Sequence, residues 1–206
     1  FGKVDEAEHE LEVSPRAVIP GGTEFTVRVD YQGVPADLSY RGRTPWIFSD
    51  VETMATNEPH IAPWWFPAND HPRDKAKFSI AVTVPTGSEA ISNGHFLGSD
   101  DDGPWSTWRW RMARPMAPYL AFFAAGDFRW RSGIRDGLEF FDAVSRQLTP
   151  KQQDKAMALM RRHTGVTRWF EGLFGRGAEG LAGILENVLR DQGEPTAYIA
   201  GQEASG

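Results

Sequence analysis

The sequence predicts a mainly β protein built of antiparallel sheets and followed by a C-terminal helical segment. Three observations carry that class. Polar and apolar residues alternate with a period of two up to about residue 145, clusters of Gly, Pro and Asn punctuate the alternating runs, and near residue 149 the period changes to that of a helix. Alternate side chains of a strand point to opposite faces, so an alternating run is a half-buried strand with one face in water. Parallel strands are covered on both faces and read as continuous apolar runs, which makes these antiparallel.

Along the chain, the alternation first appears in Glu10-Leu11-Glu12-Val13 and then in the run from Glu24 to Tyr31. It returns from Lys77 to Val84 and again from Trp108 to Met112. Pro20-Gly21-Gly22, Gly33-Val34-Pro35, Pro85-Thr86-Gly87 and Asp102-Gly103-Pro104 read as the turns between strands. Asn93-Gly94, between Ala90-Ile91 and Phe96-Leu97, has the composition of a two-residue hairpin loop because both residues tolerate positive φ. The continuous apolar run Tyr119 to Phe123 predicts a more central strand. Thr149-Pro150-Lys151-Gln152 supplies an N-cap, a first-turn proline and the Gln of a capping box. Met157, Met160, Thr164, Thr167, Phe170 and Phe174 follow at helical spacing, with Gly165 and the β-branched residues beside it as the expected break between two helices. A further helix is expected from Ala178 to Arg190, ended by Gly193 and Pro195. The expected organisation is thus a β domain over 1–145 and a helical segment over 146–206.

Composition narrows the function. A net charge of -6 and a pI near 5.4 argue against a nucleic-acid footprint, which needs a clustered basic face. No apolar run approaches the ~18 residues of a membrane span. With no Cys, disulfides, thiolate metal sites and a thiol nucleophile are all excluded. Asp70, His71 and Asp74 read as caps of a turn fixed by Pro72, and Asp100-Asp101-Asp102 as a solvated hairpin tip, since the ligand spacing of a calcium loop is missing. Trp108 and Trp110 share a strand face and are expected to pack a core, the other reading of Trp105, Trp108 and Trp110 being a platform for sugars.

The segment Trp65-Phe66-Pro67-Ala68-Asn69-Asp70-His71-Pro72-Arg73-Asp74-Lys75-Ala76 resembles a signature of the M1 zinc aminopeptidases, Trp-Phe-Pro-Cys-Asn-Asp-x-Pro-x-x-Lys-Ala leading into a strand. Val82-Thr83-Val84-Pro85-Thr86-Gly87, Ser92-Asn93-Gly94, Trp108-Arg109-Trp110, Pro115 to Leu120 and Gly126-Asp127-Phe128 are similar to later family segments in the same order. The resemblance covers about residues 8–145, with a helical stretch to Gly175, and implies the saddle-like β-sandwich that forms the family's N-terminal domain, its earliest strands absent here. In the family one carboxylate or amide of this domain binds the substrate's free α-amine. Counted back from Asp70, that position falls on Glu58. Two departures stand beside it: Ala68 replaces the usual Cys, and Pro63 stands where an Arg is common.

The resemblance also implies what is missing. M1 peptidases hold zinc with a His-Glu-x-x-His helix and a later Glu. The five His here are His9, His60, His71, His95 and His163, and none has a partner four residues away. Zinc is therefore the expected cofactor of the parent family, with none bound by this chain, and the chain alone is expected to be inactive. The expected partners are a peptide N-terminus and a separate catalytic domain. Gly183-Ile184-Leu185-Glu186-Asn187 resembles the family's Gly-x-Met-Glu-Asn strand, but it sits in a helical stripe with Val188 and is not that motif. Residues 176–206 resemble instead a small bacterial domain of unknown function, which makes the tail either a natural fusion or a joining of unrelated reading frames. The alternative function is a non-catalytic β domain that binds protein or carbohydrate.

Overall fold

The computed structural model describes residues 2–5, 10–38, 46–56, 62–174 and 197–203. The chain divides into two compact units, 1–37 and 38–206. In the first, β1 (Gly2–Asp5) and β2 (Glu10–Val13) pair antiparallel. The predicted strand from Glu24 to Tyr31 does not form: these residues take no regular structure, and Phe25, Val27, Val29 and Tyr31 are all exposed. The alternation is present but no described strand lies alongside it, and a strand without a neighbour leaves its N–H and C=O groups to water.

The second unit is mainly β. Strands β3 (Trp46–Phe48), β4 (Thr53–Ala55), β6 (Glu89–Ser92) and β9 (Phe123–Gly126) form a sheet in the order β3-β4-β9-β6. Strands β5 (Ala76–Pro85), β7 (His95–Asp102) and β8 (Trp105–Met116) form a second, in the order β5-β8-β7. Strands β10 (Phe128–Arg135), β11 (Leu138–Ser145) and β12 (Ala197–Glu203) form a third, in that order. Every pairing in these sheets is antiparallel.

The period-two reading holds best in β8, where Ser106, Trp108, Trp110 and Met112 turn inward in succession. Trp110 donates its indole N–H to the carbonyl of Ala90 at 3.0 Å, which satisfies its polar atom inside the core. Its ring meets Phe141 of β11 edge to face at 4.9 Å and Phe96 of β7 at 4.9 Å. These rings, with Phe123, Phe128, Ile91 and Met54, form one cluster fed by all three sheets. Trp108 and Trp110 are therefore core residues, and Trp105 at the hairpin end is half exposed.

Asn93-Gly94 is not a hairpin loop. Strand β6 pairs with β9 and β7 pairs with β8, so the dipeptide is a corner at which the chain changes sheets. The composition signal was a turn signal, and pairing with distant strands decided its use. Gly94 has φ +94°, and a Cβ there would collide with the backbone of Arg111. Asn93 ties the corner down: its amide donates to Leu120 O at 3.0 Å and its carbonyl oxygen accepts from Phe122 N at 2.8 Å. The predicted central strand is likewise displaced. Pro118–Leu120 make a single 3-10 turn, and the central strand is β9, starting at Phe123.

Helix α1 (Pro150–Met160) starts as the sequence predicts, with Thr149 and Gln152 forming a reciprocal capping box. The break before α2 (His163–Phe174) falls at Arg161-Arg162, and Gly165 lies inside α2 rather than ending a helix. The helix expected over 178–190 and the Gly183–Asn187 segment lie outside the described residues.

Candidate functional site

Two places in the second unit concentrate polar chemistry on apolar ground: the turn that carries the aromatic signature, and a buried charge cluster where the helices meet β10 and β11.

The first is built by β4, a 3-10 turn at Ala62–Trp64 and the start of β5. Trp65 and Phe66 both donate backbone N–H groups to Ala62 O, at 2.9 and 3.0 Å. The Asp70 carboxylate accepts from Ala62 N at 3.4 Å, so the acidic residue of the signature caps the turn that opens it. Trp65 lies against Phe123 of β9 at 5.2 Å and edge-on to Phe66 at 5.0 Å, while Phe66 meets Phe78 of β5 at 6.0 Å. The Trp-Phe pair thus anchors the turn between two sheets. Farther along, Asn69 donates to Asp74 at 2.9 Å, and His71 Nδ1 accepts from Arg73 N at 3.1 Å. Asp70, His71 and Asp74 are therefore engaged in local capping bonds. Glu58, the residue expected to meet substrate, lies outside the described residues; Ala55 before it and Ala62 after it are fully buried.

The second place was not singled out from the sequence. Asp142, fully buried in β11, accepts from Arg131 Nε at 2.9 Å, with Arg131 Nη2 at 2.8 Å from the same oxygen and Arg135 at 3.9 Å. His163, the first residue of α2, puts Nδ1 3.3 Å from the other Asp142 oxygen and against Met160 O. A carbonyl can only accept, so Nδ1 carries the proton and Nε2 is the bare nitrogen, buried with no hydrogen-bond partner. Burial pushes the Asp142 carboxyl up from its ordinary range, against the pull of the Arg131 hydrogen bond and the charges around it. Burial pushes His163 below 6.5, against the pull of Asp142. Arg131 also donates to Met157 O at 2.6 Å, which ties α1 to the sheet. Asp142 and His163 are 21 positions apart, so no local spacing announces them; the one sequence signal is a charge amid the apolar run Phe140-Phe141-Asp142-Ala143-Val144.

A cleft of about 450 Å3 between β10 and α1 is lined by Arg129, Trp130, Arg131, Asp154, Met157 and Arg161. Arg129 pairs with Asp154 at 2.7 Å, and Arg131 is held by Asp142. Most of its polar lining therefore fastens the helix to the sheet.

Among their described residues, neither place gathers the ligands of a zinc ion. Among the described residues no three His, Asp or Glu side chains converge as a metal site. His95 with Glu139 at 2.6 Å, and His163 with Asp142, each bring one imidazole to one carboxylate.

Comparison with known proteins finds partial likenesses. Residues 41–120 match the Peptidase M1 N-terminal domain, and residues 161–206 match Envelope integrity protein A. Aminopeptidase N of Haemonchus contortus is 29% identical over 93 residues, which cover 44% of this chain and 10% of that protein. The M1 zinc metallopeptidase of Deinococcus radiodurans is 24% identical with a TM-score of 0.49, covering 58% of this chain and 30% of its own. A two-domain M1 zinc metallopeptidase mutant bound to L-tryptophan is 27% identical with a TM-score of 0.41, covering 43% of this chain and 21% of its own. The chain spans about a tenth of the curated relative and under a third of these solved ones. Over residues 41–120, the chain is thus similar to the N-terminal domain of M1 peptidases.

Proposed function

We propose that this chain is the substrate-recognising domain of a zinc-dependent aminopeptidase, and that Glu58 pairs with the free α-ammonium group of a peptide. The match of residues 41–120 to the Peptidase M1 N-terminal domain carries the reading, because it contains both the Trp65–Ala76 signature and Glu58. A carboxylate facing an ammonium group gains charge-assisted hydrogen bonds that a blocked N-terminus cannot supply. Such a residue measures off the first amino acid of the substrate by finding its charge. The nucleophile lies elsewhere in this reading, since no two His of the 206 residues stand four apart. A zinc-binding catalytic domain is thus the required partner, its metal lowering the pKa of a bound water.

The test is kinetic. In a protein that joins this chain to a zinc-bearing M1 domain, Glu58→Ala should raise KM for aminoacyl substrates about tenfold or more, the loss of one charged contact. Substrates without a free amine should change far less. Equal effects on the two classes would remove Glu58 from that role.

A second reading, a non-catalytic interaction domain, is favoured by the match of residues 161–206 to Envelope integrity protein A. One continuous read of the source DNA separates the two. A His-Glu-x-x-His segment in frame after Gly175 supports the peptidase, and an uninterrupted continuation of residues 176–206 without that motif supports the interaction domain.

A further inference from the structure

We propose that His163 is an acid-sensitive latch that holds helix α2 on the β10–β11 hairpin while its ring is neutral and loosens when the ring gains a second proton. The geometry carries the argument. Facing His163 are Asp142 and the Phe140 ring from β11, Arg131 and Arg135 from β10, and Met160 O at the end of α1. With the ring neutral, two guanidinium groups and one carboxylate leave a single net positive charge there. A protonated ring makes it two, in a place where Asp142 is fully buried and His163 is 5% exposed. The added proton goes on Nε2, where no acceptor waits, and a buried charged donor without an acceptor is costly.

The ring sits where loosening would spread. The turn between β10 and β11, with Asp136 at φ 55°, is gripped by the next residues of α2. Thr164 donates to the Asp136 carboxylate at 2.8 Å, and Arg168 donates twice to Asp136 O at 2.9 and 2.8 Å. His163 and Thr164 are both buried in this contact. Freeing the first turn of α2 therefore removes the support of the other bonds.

The direction follows from proton linkage. Burial holds His163 below 6.5 in the folded chain, so between that lowered value and 6.5 the unfolded chain binds more protons. The stability His163 contributes is complete above pH 6.5 and is lost as pH falls through the window beneath it. Asp142 works in the opposite sense: its raised carboxyl favours the folded chain at low pH and loses that contribution as pH rises above 3.8. Only a comparison that removes the imidazole alone isolates the latch.

The experiment is hydrogen exchange of the full chain at pH 7.5, 6.5 and 5.5, corrected for intrinsic rates, in the wild type and His163→Gln. The α2 amides of the wild type should lose protection on acidification, by up to about tenfold at pH 5.5, one unit beneath the ring's ordinary value. Amides of β5 and β8 should change little, and the α2 effect should be absent in His163→Gln. The same α2 loss in the variant would overturn the latch. If the variant does not fold, the wild-type His163 ring resonance decides: titration below 6.5 supports the proposal, and titration at or above 6.5 overturns it.

Discussion

Glu24 to Tyr31 and Lys77 to Val84 carry the same alternation of polar and apolar residues, yet only the second is a strand. In β5 the alternation meets β8 without a break from Phe78 onward, with Phe78 opposite Met112, Ile80 opposite Trp110 and Val82 opposite Trp108. In the first segment Phe25 is 66% and Tyr31 61% exposed, and the Arg28–Asp30 side-chain pair between them is itself exposed. A period of two states which face of a strand would be apolar. It does not supply the neighbouring strand that makes the face worth burying, because the ladder hydrogen bonds and the cross-strand contacts come from that partner.

Substitutions sharpen the contrast. The largest effect belongs to Trp110→Ala, which empties the space shared by Phe96 and Phe141 and leaves Ala90 O without its donor. Denaturant unfolding should show a loss of about 3–5 kcal/mol. An intermediate effect belongs to Gly94→Ala, whose Cβ has no room beside Arg111 at a φ of +94°. That change should cost about 1–3 kcal/mol, the range of local backbone strain. At the small end, Phe25→Ala should shift stability by no more than about 0.5 kcal/mol, as for exposed residues generally. A loss there comparable to that of Trp110→Ala would mean that the Glu24–Tyr31 alternation is buried after all, and the comparison would break.

What was legible followed from locality. The capping box of Thr149 and Gln152 is written in four consecutive residues, and β5 and β8 are written in their own alternation. The signature from Trp65 to Ala76 located the anchored turn, and Asp70 takes its place as the cap of Ala62. What could not be read depends on distant partners. Asn93-Gly94 has the composition of a hairpin loop, but β6 and β7 are claimed by different sheets. Gly165 was the expected helix break, yet the bonds from Thr164 and Arg168 to Asp136 hold it within α2. The Asp142–His163 contact joins a strand to a helix across 21 positions and follows no motif at all.

The proposal on which most depends is that the domain recognises a free peptide N-terminus through Glu58. The most direct measurement is an NMR titration of the full chain with an unblocked tripeptide and with its N-acetylated twin, repeated in Glu58→Gln. The account predicts saturable shifts for the unblocked peptide alone, centred on the residues flanking 57–61 and lost in the variant. Equal shifts for both peptides, or shifts that survive Glu58→Gln, would contradict it.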